Sequence, residues 1–215
     1  MYLQSLALLT YFSVAEYLIN ERGVRFEDGR VEKDIDAIVY CTGYLYSYPF
    51  LKTLDPPIVT TGRRVLGVYQ QLFNLHYPTL AFTAIAQKII PFPLSEVQGA
   101  AIAKVWSNKL VLPEKQEMVM LEKKQVEDLG DGTSFHVLGY PKDADYINGL
   151  YDWVKSASDE FGKHPGFWSD RQFWERRICV DLKKKFIETA ETATSMTELG
   201  FEYEPQGNEA DWGKS

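Results

Sequence analysis

Cysteine and histidine are scarce in this chain of 215 residues. The two cysteines, Cys41 and Cys179, lie far apart, and there is neither a CxxC motif nor a cluster of cysteine and histidine. A disulfide framework and a structural zinc site are therefore not expected, and a reducing compartment is the natural setting. The three histidines, His76, His136 and His164, are widely separated, so we expect surface or packed residues rather than catalytic bases.

Clusters of basic residues and hydrolase motifs are also lacking. Acidic residues number 30 against 23 lysines and arginines, and the net charge of −7 argues against a nucleic-acid partner. Much of this excess falls in residues 186–215, so it is a property of the tail rather than of a binding face. The motifs GxSxG, HExxH and GxxxxGK[ST] are absent. The sequence therefore assigns no catalytic residue and no metal ligand.

Strand signals dominate the N-terminal part of the chain after an apolar start. Residues 1–21 predict an N-terminal helix that is too short and too polar to span a membrane. Residues 24–27 alternate apolar and charged side chains, and the following Asp28-Gly29 is a hairpin turn signal. Residues 34–40 become nearly all apolar, which predicts a strand buried on both faces of a parallel sheet.

Helical periodicity dominates the C-terminal part. The predicted elements are strands at 65–73 and 79–84 and helices over 94–110, from Pro113, over 143–161 and after the capping box Ser169-Asp170-Arg171-Gln172. Asp143 and Asp145 are expected to charge the first turn of the third helix rather than to act as paired catalytic carboxylates. Residues 201–215 predict a disordered tail.

The order of strands before helices predicts a mixed α/β unit. An independent doubly wound domain begins with a strand, a GxGxxG turn and a helix. No stretch matches this fingerprint, because Gly130 and Gly132 are followed by Phe135 where the third glycine belongs. The sequence therefore predicts the second part of a sheet whose first part it does not contain.

The end of the 34–40 strand is the first candidate binding site. The strand stops at Thr42-Gly43, and ligands of open α/β folds bind at the carboxyl edge of the sheet. Gly43 can adopt a positive φ, which lets the backbone approach a flat or anionic cofactor, and Tyr44 supplies a surface beside it. Taken alone, a simple chain turn explains Gly43 better.

The start of the first predicted helix is the second candidate. Pro91-Phe92-Pro93 leads into Ser95 and Gln98, and the exposed amides of a helix N-terminus suit a carbonyl or a developing anion. Gln98 could then hydrogen-bond a ligand from the first turn. Ser95-x-x-Gln98 is also a capping box, and taken alone this second interpretation is the better supported.

Four motifs in order carry a resemblance to a known family: FEDG…IDAIVYCTGYLYSYPFL, VYQQLFNLHYPTLAF, IIPFPLSEVQGAAIAKVWSNKLVLP and YPKDADYINGLYDW. They span residues 22–180 and resemble the C-terminal part of flavin-containing monooxygenases, especially the fungal branch. The resemblance favours ligand binding at both candidate sites. It implies cofactor contacts by Thr42, Gly43, Tyr44, Ser95 and Gln98.

The implied fold is an incomplete pair of Rossmann-like FAD- and NAD(P)-binding domains with a helical C-terminal region. Residues 22–44 would end the NADPH-binding domain and form the linker, 45–112 would complete the FAD-binding domain, and 113–200 would form the helical region. Cys41 replaces the family's usual alanine before Thr-Gly and is expected to be a small packed residue. Such enzymes reduce FAD with NADPH, form a C4a-hydroperoxyflavin with O₂, and oxygenate soft nucleophilic N or S atoms.

The implied partners are a small amine, thiol or sulfide substrate and O₂, together with a missing N-terminal half or a second copy of the chain. A cytoplasmic location is expected, with peripheral attachment at the endoplasmic reticulum as the alternative. Because both pyrophosphate-binding turns are absent, weak or no activity is expected of the isolated chain. A non-catalytic remnant that binds a partner through an uncovered sheet edge, and another FAD-dependent pyridine-nucleotide oxidoreductase, stay open as alternatives.

Overall fold

The chain forms two compact units, Met1–Tyr44 and Leu45–Ser215, in a computed structural model that describes residues 14–18, 22–39, 43–157, 165–189 and 192–205. The boundary between the units falls at the predicted end of the linker. The assignment of the two sides to an NADPH-binding and an FAD-binding domain stays a prediction, as do the other predicted domain limits.

The N-terminal unit contains a three-stranded antiparallel sheet in the order β1 (Val14–Leu18), β2 (Gly23–Phe26) and β3 (Val31–Glu32). The predicted hairpin between β2 and β3 is confirmed, with Gly29 at φ +85° in its turn. The helix predicted over residues 1–21 is wrong at β1, which pairs with β2; the rest of that range lies outside the described residues. A short apolar run is compatible with both the helical and the strand periodicity. Here the backbone pairing of β1 with β2 stabilises the strand.

The predicted buried strand at 34–40 is the main correction in this unit. Residues 33–39 are not part of a β-ladder, and Tyr40 lies outside the described residues. The side chain of Ile38 is 43% exposed and that of Val39 is 82% exposed. The backbone N–H of Ile35 donates to the carbonyl of Arg22 at 2.8 Å, but no ladder continues from this bond in the described residues. A strand buried on both faces needs paired strands and covering helices.

In its described residues the C-terminal unit contains a small hairpin, four α-helices and short 3-10 turns. Its elements are β4 (Val68–Tyr69), β5 (Phe73–Asn74), α1 (Pro91–Trp106), α2 (Lys115–Leu129), α3 (Lys142–Lys155) and α4 (Asp170–Glu188). The two predicted strands of this part are much shorter than expected: β4 pairs with β5, and Phe73 forms a bridge with Ala81.

All four predicted helices are confirmed, with shifted ends. The helix α1 begins at Pro91, three residues before the predicted start, because a proline at the first position has its φ preset and needs no amide partner. The capping box at the start of α4 is present, and the backbone N–H of Ser169 donates to Oε1 of Gln172 at 2.9 Å. For α3 the described helix ends at Lys155, and residues 158–161 lie outside the described residues.

One buried cluster of the C-terminal unit lies between α1 and α3. Leu94 and Val97 of α1 pack against Ile147 and Leu150 of α3, and all four are at most 3% exposed. A second cluster joins Leu72 and Phe73 to Ala101 and Val154, and a third surrounds Val65, Val68 and Phe135. The short hairpin is therefore held by helices rather than by a large sheet.

The start of the predicted disordered tail packs against α4. Residues 201–205 contain no helix or strand, but the ring of Tyr203 lies 5.4 Å from that of Trp174. This aromatic contact explains why the chain stays packed beyond Gly200, where composition alone predicts disorder. Residues 206–215 lie outside the described residues.

Candidate cofactor-binding site

The predicted turn at Gly43 has the expected backbone conformation. Gly43 adopts φ +85°, and a Cβ placed on it would meet no described atom within 4 Å. The neighbouring Tyr44 is completely exposed, and Thr42 lies outside the described residues. The corner is thus open around the Cβ position of Gly43, so its backbone can approach a ligand closely.

The second pair of predicted residues lies on α1 in the other unit. Because this helix begins at Pro91, with Ile90 as its N-cap, Ser95 and Gln98 are interior helical positions. The capping-box interpretation of Ser95 and Gln98 is therefore wrong. Ser95 is half-buried, and its predicted cofactor contact stays a prediction.

Gln98 is fully buried and its side-chain amide is engaged within the protein. Its Oε1 accepts a hydrogen bond from the backbone N–H of Ala84 at 2.9 Å, and its Nε2 donates to the hydroxyl of Tyr146 at 2.8 Å. The Tyr146 hydroxyl in turn donates to the carbonyl of Gln70 at 2.6 Å. This geometry supports a role in joining α1, α3 and two loops, and it leaves little of Gln98 for a flavin.

The histidine at position 136 is a packed residue, as the sequence predicts. It is completely buried; its Nε2 accepts from the backbone N–H of Val65 at 2.9 Å, and its Nδ1 faces Oε1 of Gln71. The Gln71 Nε2 also donates to the carbonyl of Phe135 at 3.0 Å. Burial first, and then the charge of Arg64, lower the pKa of His136 to about 4, so its imidazole is neutral at physiological pH.

A buried ion pair fixes the start of α3. The carboxylate of Asp143 is completely buried, and its Oδ2 accepts from Nε of Arg176 at 2.6 Å. The same guanidinium donates to the carbonyl of Lys88 at 3.0 Å, so α4 is linked to both α3 and the segment before α1. Asp143 and Asp145 lie in the first turn of α3 as predicted, and Asp143 has a structural partner there.

Sequence reasoning missed most of these polar contacts. Gln71 and Tyr146 lie within motifs that carry the family resemblance, but no role was assigned to either, and their partners are 48 to 76 residues away in the chain. The one local signal was the placement of polar residues among apolar ones, as at Gln98 on the buried face of α1. Such a pattern indicates burial but does not name the hydrogen-bond partner.

Metal binding and membrane insertion have no support in the part of the chain that the structure describes. No group of three or more histidine, cysteine, aspartate or glutamate side chains is placed to hold a metal ion there. No helix among those described residues is long and apolar enough to cross a membrane.

A dinucleotide needs a glycine-rich turn that opens a helix and a cleft for its rings. Gly130 and Gly132 lead instead into a short 3-10 turn, Thr133–His136. At the start of α1 the side chain of Phe92 is 85% exposed, and at Gly43 no described atom lies within 4 Å of an added Cβ. These residues therefore offer parts of a cofactor site but do not fit a complete FAD or NADPH molecule by themselves.

Comparison with known proteins places this architecture among flavoproteins. The structure of S-allyl-L-cysteine S-oxygenase from Allium sativum matches with a TM-score of 0.61 and 29% sequence identity, over 83% of this chain and 39% of that one. The predicted class, an incomplete FAD/NAD(P)-binding flavoprotein fold, is confirmed. The family model of flavin-binding monooxygenase-like proteins matches residues 10–159, and the chain belongs to that family.

The curated relatives agree with this assignment. The chain is 30% identical to the thiol-specific monooxygenase of Saccharomyces cerevisiae over 187 residues, which are 81% of this chain and 40% of the relative. It is 31% identical to human flavin-containing monooxygenase 5 over 165 residues, 75% of this chain and 29% of that protein. Members of the family are FAD- and NADPH-dependent flavoproteins. The chain spans between about a fifth and two-fifths of the length of the curated relatives it matches.

Proposed function

We propose that this chain supplies the C-terminal part of a flavin-dependent monooxygenase, which uses NADPH and O₂ to oxygenate a soft N or S atom of a small amine, thiol or sulfide. The family assignment supports this proposal, and two similar proteins carry sulfur-directed names, the thiol-specific monooxygenase and the S-allyl-L-cysteine S-oxygenase. The flavin supplies the oxygen-transfer chemistry when bound. This chain would contribute backbone positions and packed surfaces rather than a general acid or base.

One observation in the structure carries the proposal: an apolar segment without strand partners that leads toward a glycine in the left-handed region. The side chains of Ile38 and Val39 are exposed although their run has the composition of a strand buried on both faces. Gly43 follows with φ +85° and free space around its Cα. Such a segment is explained if further strands, carrying the glycine-rich turns, pack beside it in the working enzyme.

Activity is therefore proposed to require a second polypeptide or segment that brings the pyrophosphate-binding turns. The test uses the purified full chain with the part of the Allium sativum S-oxygenase that it does not match, produced separately. FAD binding is followed by flavin fluorescence, and NADPH oxidation is followed with S-allyl-L-cysteine and O₂. The pair should bind FAD and consume NADPH in a substrate-dependent way, whereas the chain alone should do neither. A pair that stays colourless with excess FAD, while the intact Allium enzyme binds it, would overturn the proposal.

Two valines of equal exposure give a matched control. Val39→Asp places a charge where strand partners are proposed and should abolish FAD binding by the pair. Val111→Asp changes a valine that is 83% exposed, against 82% for Val39, on the segment between α1 and α2. It should leave FAD binding within twofold, and an equal loss in both variants would argue against strand addition at residues 33–39.

A non-catalytic partner-binding module is the second candidate function. The complete exposure of Tyr44 and the exposure of Val39 favour it, because apolar surface of this kind promotes association. Stable complex formation without flavin uptake would support this function over oxygenation. NADPH consumption by the pair without an oxygenated product would instead indicate another FAD-dependent oxidoreductase.

For location, we propose the cytoplasm, with peripheral attachment to the endoplasmic reticulum as the alternative. The support is the low cysteine content and the absence of paired cysteine motifs. Fractionation of cells that express a tagged full chain distinguishes the two, since attachment would place the chain in the microsomal pellet and salt or carbonate would release it.

A further inference from the structure

The hydrogen bonds of Gln98 and Tyr146 form a chain with a fixed direction. At one end stands the backbone N–H of Ala84, which can only donate, so it must face the amide oxygen of Gln98. The Gln98 NH₂ group is thereby turned to the Tyr146 hydroxyl, whose oxygen accepts. The hydroxyl proton then has the Gln70 carbonyl as its acceptor at 2.6 Å.

Both ends of this chain meet backbone in an unfavourable conformation. Ala84 has φ +54°, and Gln70 and Gln71 have φ +54° and +52° in succession. Consecutive left-handed residues form a type I′ turn, which normally uses asparagine and glycine, and here the N–H of Leu72 donates to the carbonyl of Tyr69 at 3.0 Å across it. Left-handed backbone is unfavourable for residues other than glycine and persists only where surrounding contacts hold it.

The two side chains in the middle of this hydrogen-bond chain, Gln98 and Tyr146, are sheltered from solvent. Gln98 is completely buried, and Tyr146 packs against the cluster formed by Leu94, Val97 and Ile147. Burial raises the pKa of the Tyr146 phenol, so its proton is retained and the hydroxyl keeps donating at any ordinary pH. Loss of either hydrogen bond of the Gln98 amide would leave a buried polar group unsatisfied. The Ala84–Gln98 and Gln98–Tyr146 bonds are therefore expected to stabilise each other.

We propose that Gln98 and Tyr146 form a directional hydrogen-bond relay that couples the Gln70–Gln71 turn to Ala84, so that these two left-handed segments order and open together. The relay joins the β4–β5 hairpin to the segment that precedes α1 through one residue of α1 and one of α3. This role is independent of any cofactor, and it differs from the flavin contact that the family resemblance implies for Gln98.

The test is amide hydrogen exchange on the full chain, with two amides as reporters. The Leu72 amide reports the turn, and the Ala84 amide reports the other end. Tyr146→Phe removes the hydroxyl but leaves the Ala84–Gln98 bond in place, and Gln98→Leu does not touch the turn directly. Each variant should nevertheless raise the exchange rates of both amides about tenfold, and the double variant should exceed the larger single effect by less than twofold.

A control and a second variant keep the outcome clear. Tyr151→Phe removes a hydroxyl from the same helix, and the Tyr151 ring contact with Phe167 survives the change, so neither reporter should respond. Gln98→Glu keeps an acceptor for the Ala84 amide, and in its ionised form it has no proton to donate to Tyr146. At a pH where it is ionised, this variant should raise the exchange rate of the Leu72 amide even if Gln98→Leu fails to fold. Separate effects, with Tyr146→Phe moving only Leu72 and Gln98→Leu only Ala84, would overturn the relay. A uniform rise over all amides, those of α2 included, would overturn it as well.

Discussion

The two units of this chain place polar and apolar residues in opposite ways. In the N-terminal unit an apolar run ends with Val39, which is 82% exposed, and the turn beyond it carries the fully exposed Tyr44. In the C-terminal unit polar side chains such as Gln71, Gln98 and His136 are at most 2% exposed. The first unit therefore exposes apolar side chains to solvent, and the second buries polar side chains in its interior.

This contrast separates two kinds of requirement. Two of the buried polar side chains are satisfied by partners within the same unit, His136 by Val65 and Gln71 and Gln98 by Ala84 and Tyr146. The exposed run has no comparable partners among the described residues. The C-terminal unit is therefore expected to be the stable part of the chain, and the N-terminal unit the part whose final environment depends on added structure.

The largest loss of stability is expected on replacing His136, a buried polar residue of the C-terminal unit. His136→Ala removes a buried ring and leaves the Val65 amide and the Gln71 side chain without their partner, which should lower the free energy of unfolding by about 3 kcal/mol. Urea denaturation followed by circular dichroism measures the loss. The control is His76→Ala at an exposed histidine, where less than about 0.5 kcal/mol is expected; similar losses at both positions would mean that the His136 contacts carry little stability.

The same histidine predicts a pH dependence of defined sign. Its folded pKa of about 4 lies below the unfolded value of 6.5, so the unfolded chain takes up the proton first as the pH falls. The stabilising contribution is complete above pH 6.5, declines below it and is fully lost below pH 4. At pH 5 the expected loss from this group is about 2 kcal/mol. Denaturation of the wild type and His136→Ala at pH 7 and pH 5 isolates it, and a wild-type loss no larger than that of the variant would contradict the assignment.

Local signals in the sequence were sufficient for the elements that depend on local contacts. The hairpin at Asp28-Gly29, the capping box at Ser169 and the positive φ of Gly43 all follow from residue types within a few positions. The same logic fails at residues 34–40, because burial of a strand depends on neighbours far away in sequence or on another chain. Composition predicts the environment that this segment is built for, and the structure shows that the described residues do not provide it.

The candidate site divides in the same way. Gly43 was found from a local turn signal, whereas the partners of Gln98 could not be predicted because Ala84 and Tyr146 lie 14 and 48 residues away. The sequence left two interpretations of Gln98 open, a capping box and a ligand contact, and the family resemblance favoured the cofactor contact. Polar residues on an apolar helix face therefore need their long-range partners before a ligand role is assigned.

A smaller effect is expected at the open corner of the N-terminal unit. Gly43→Val forces a β-branched residue into φ +85° or moves the turn, and because no described atom crowds the site, the loss of stability should be about 1 kcal/mol. Gly43→Asn is the matched control, since asparagine tolerates positive φ. In the complemented pair, Gly43→Val should abolish FAD binding and Gly43→Asn should retain most of it. Equal flavin fluorescence titrations for both variants would show that the conformation of Gly43 is not used by the cofactor.

The smallest effect distinguishes the two units most directly, because it compares the same change at an exposed and a buried valine. Val39→Ala should alter the free energy of unfolding of the chain alone by less than about 0.5 kcal/mol, since its side chain is already in water. Val154→Ala, at a residue that is 1% exposed in the α1–α3 core, should cost about 2 kcal/mol. Urea denaturation gives both values. A loss at Val39 as large as that at Val154 would mean that the Val39 side chain is covered in the chain alone, which would argue against strand addition by a partner at this position.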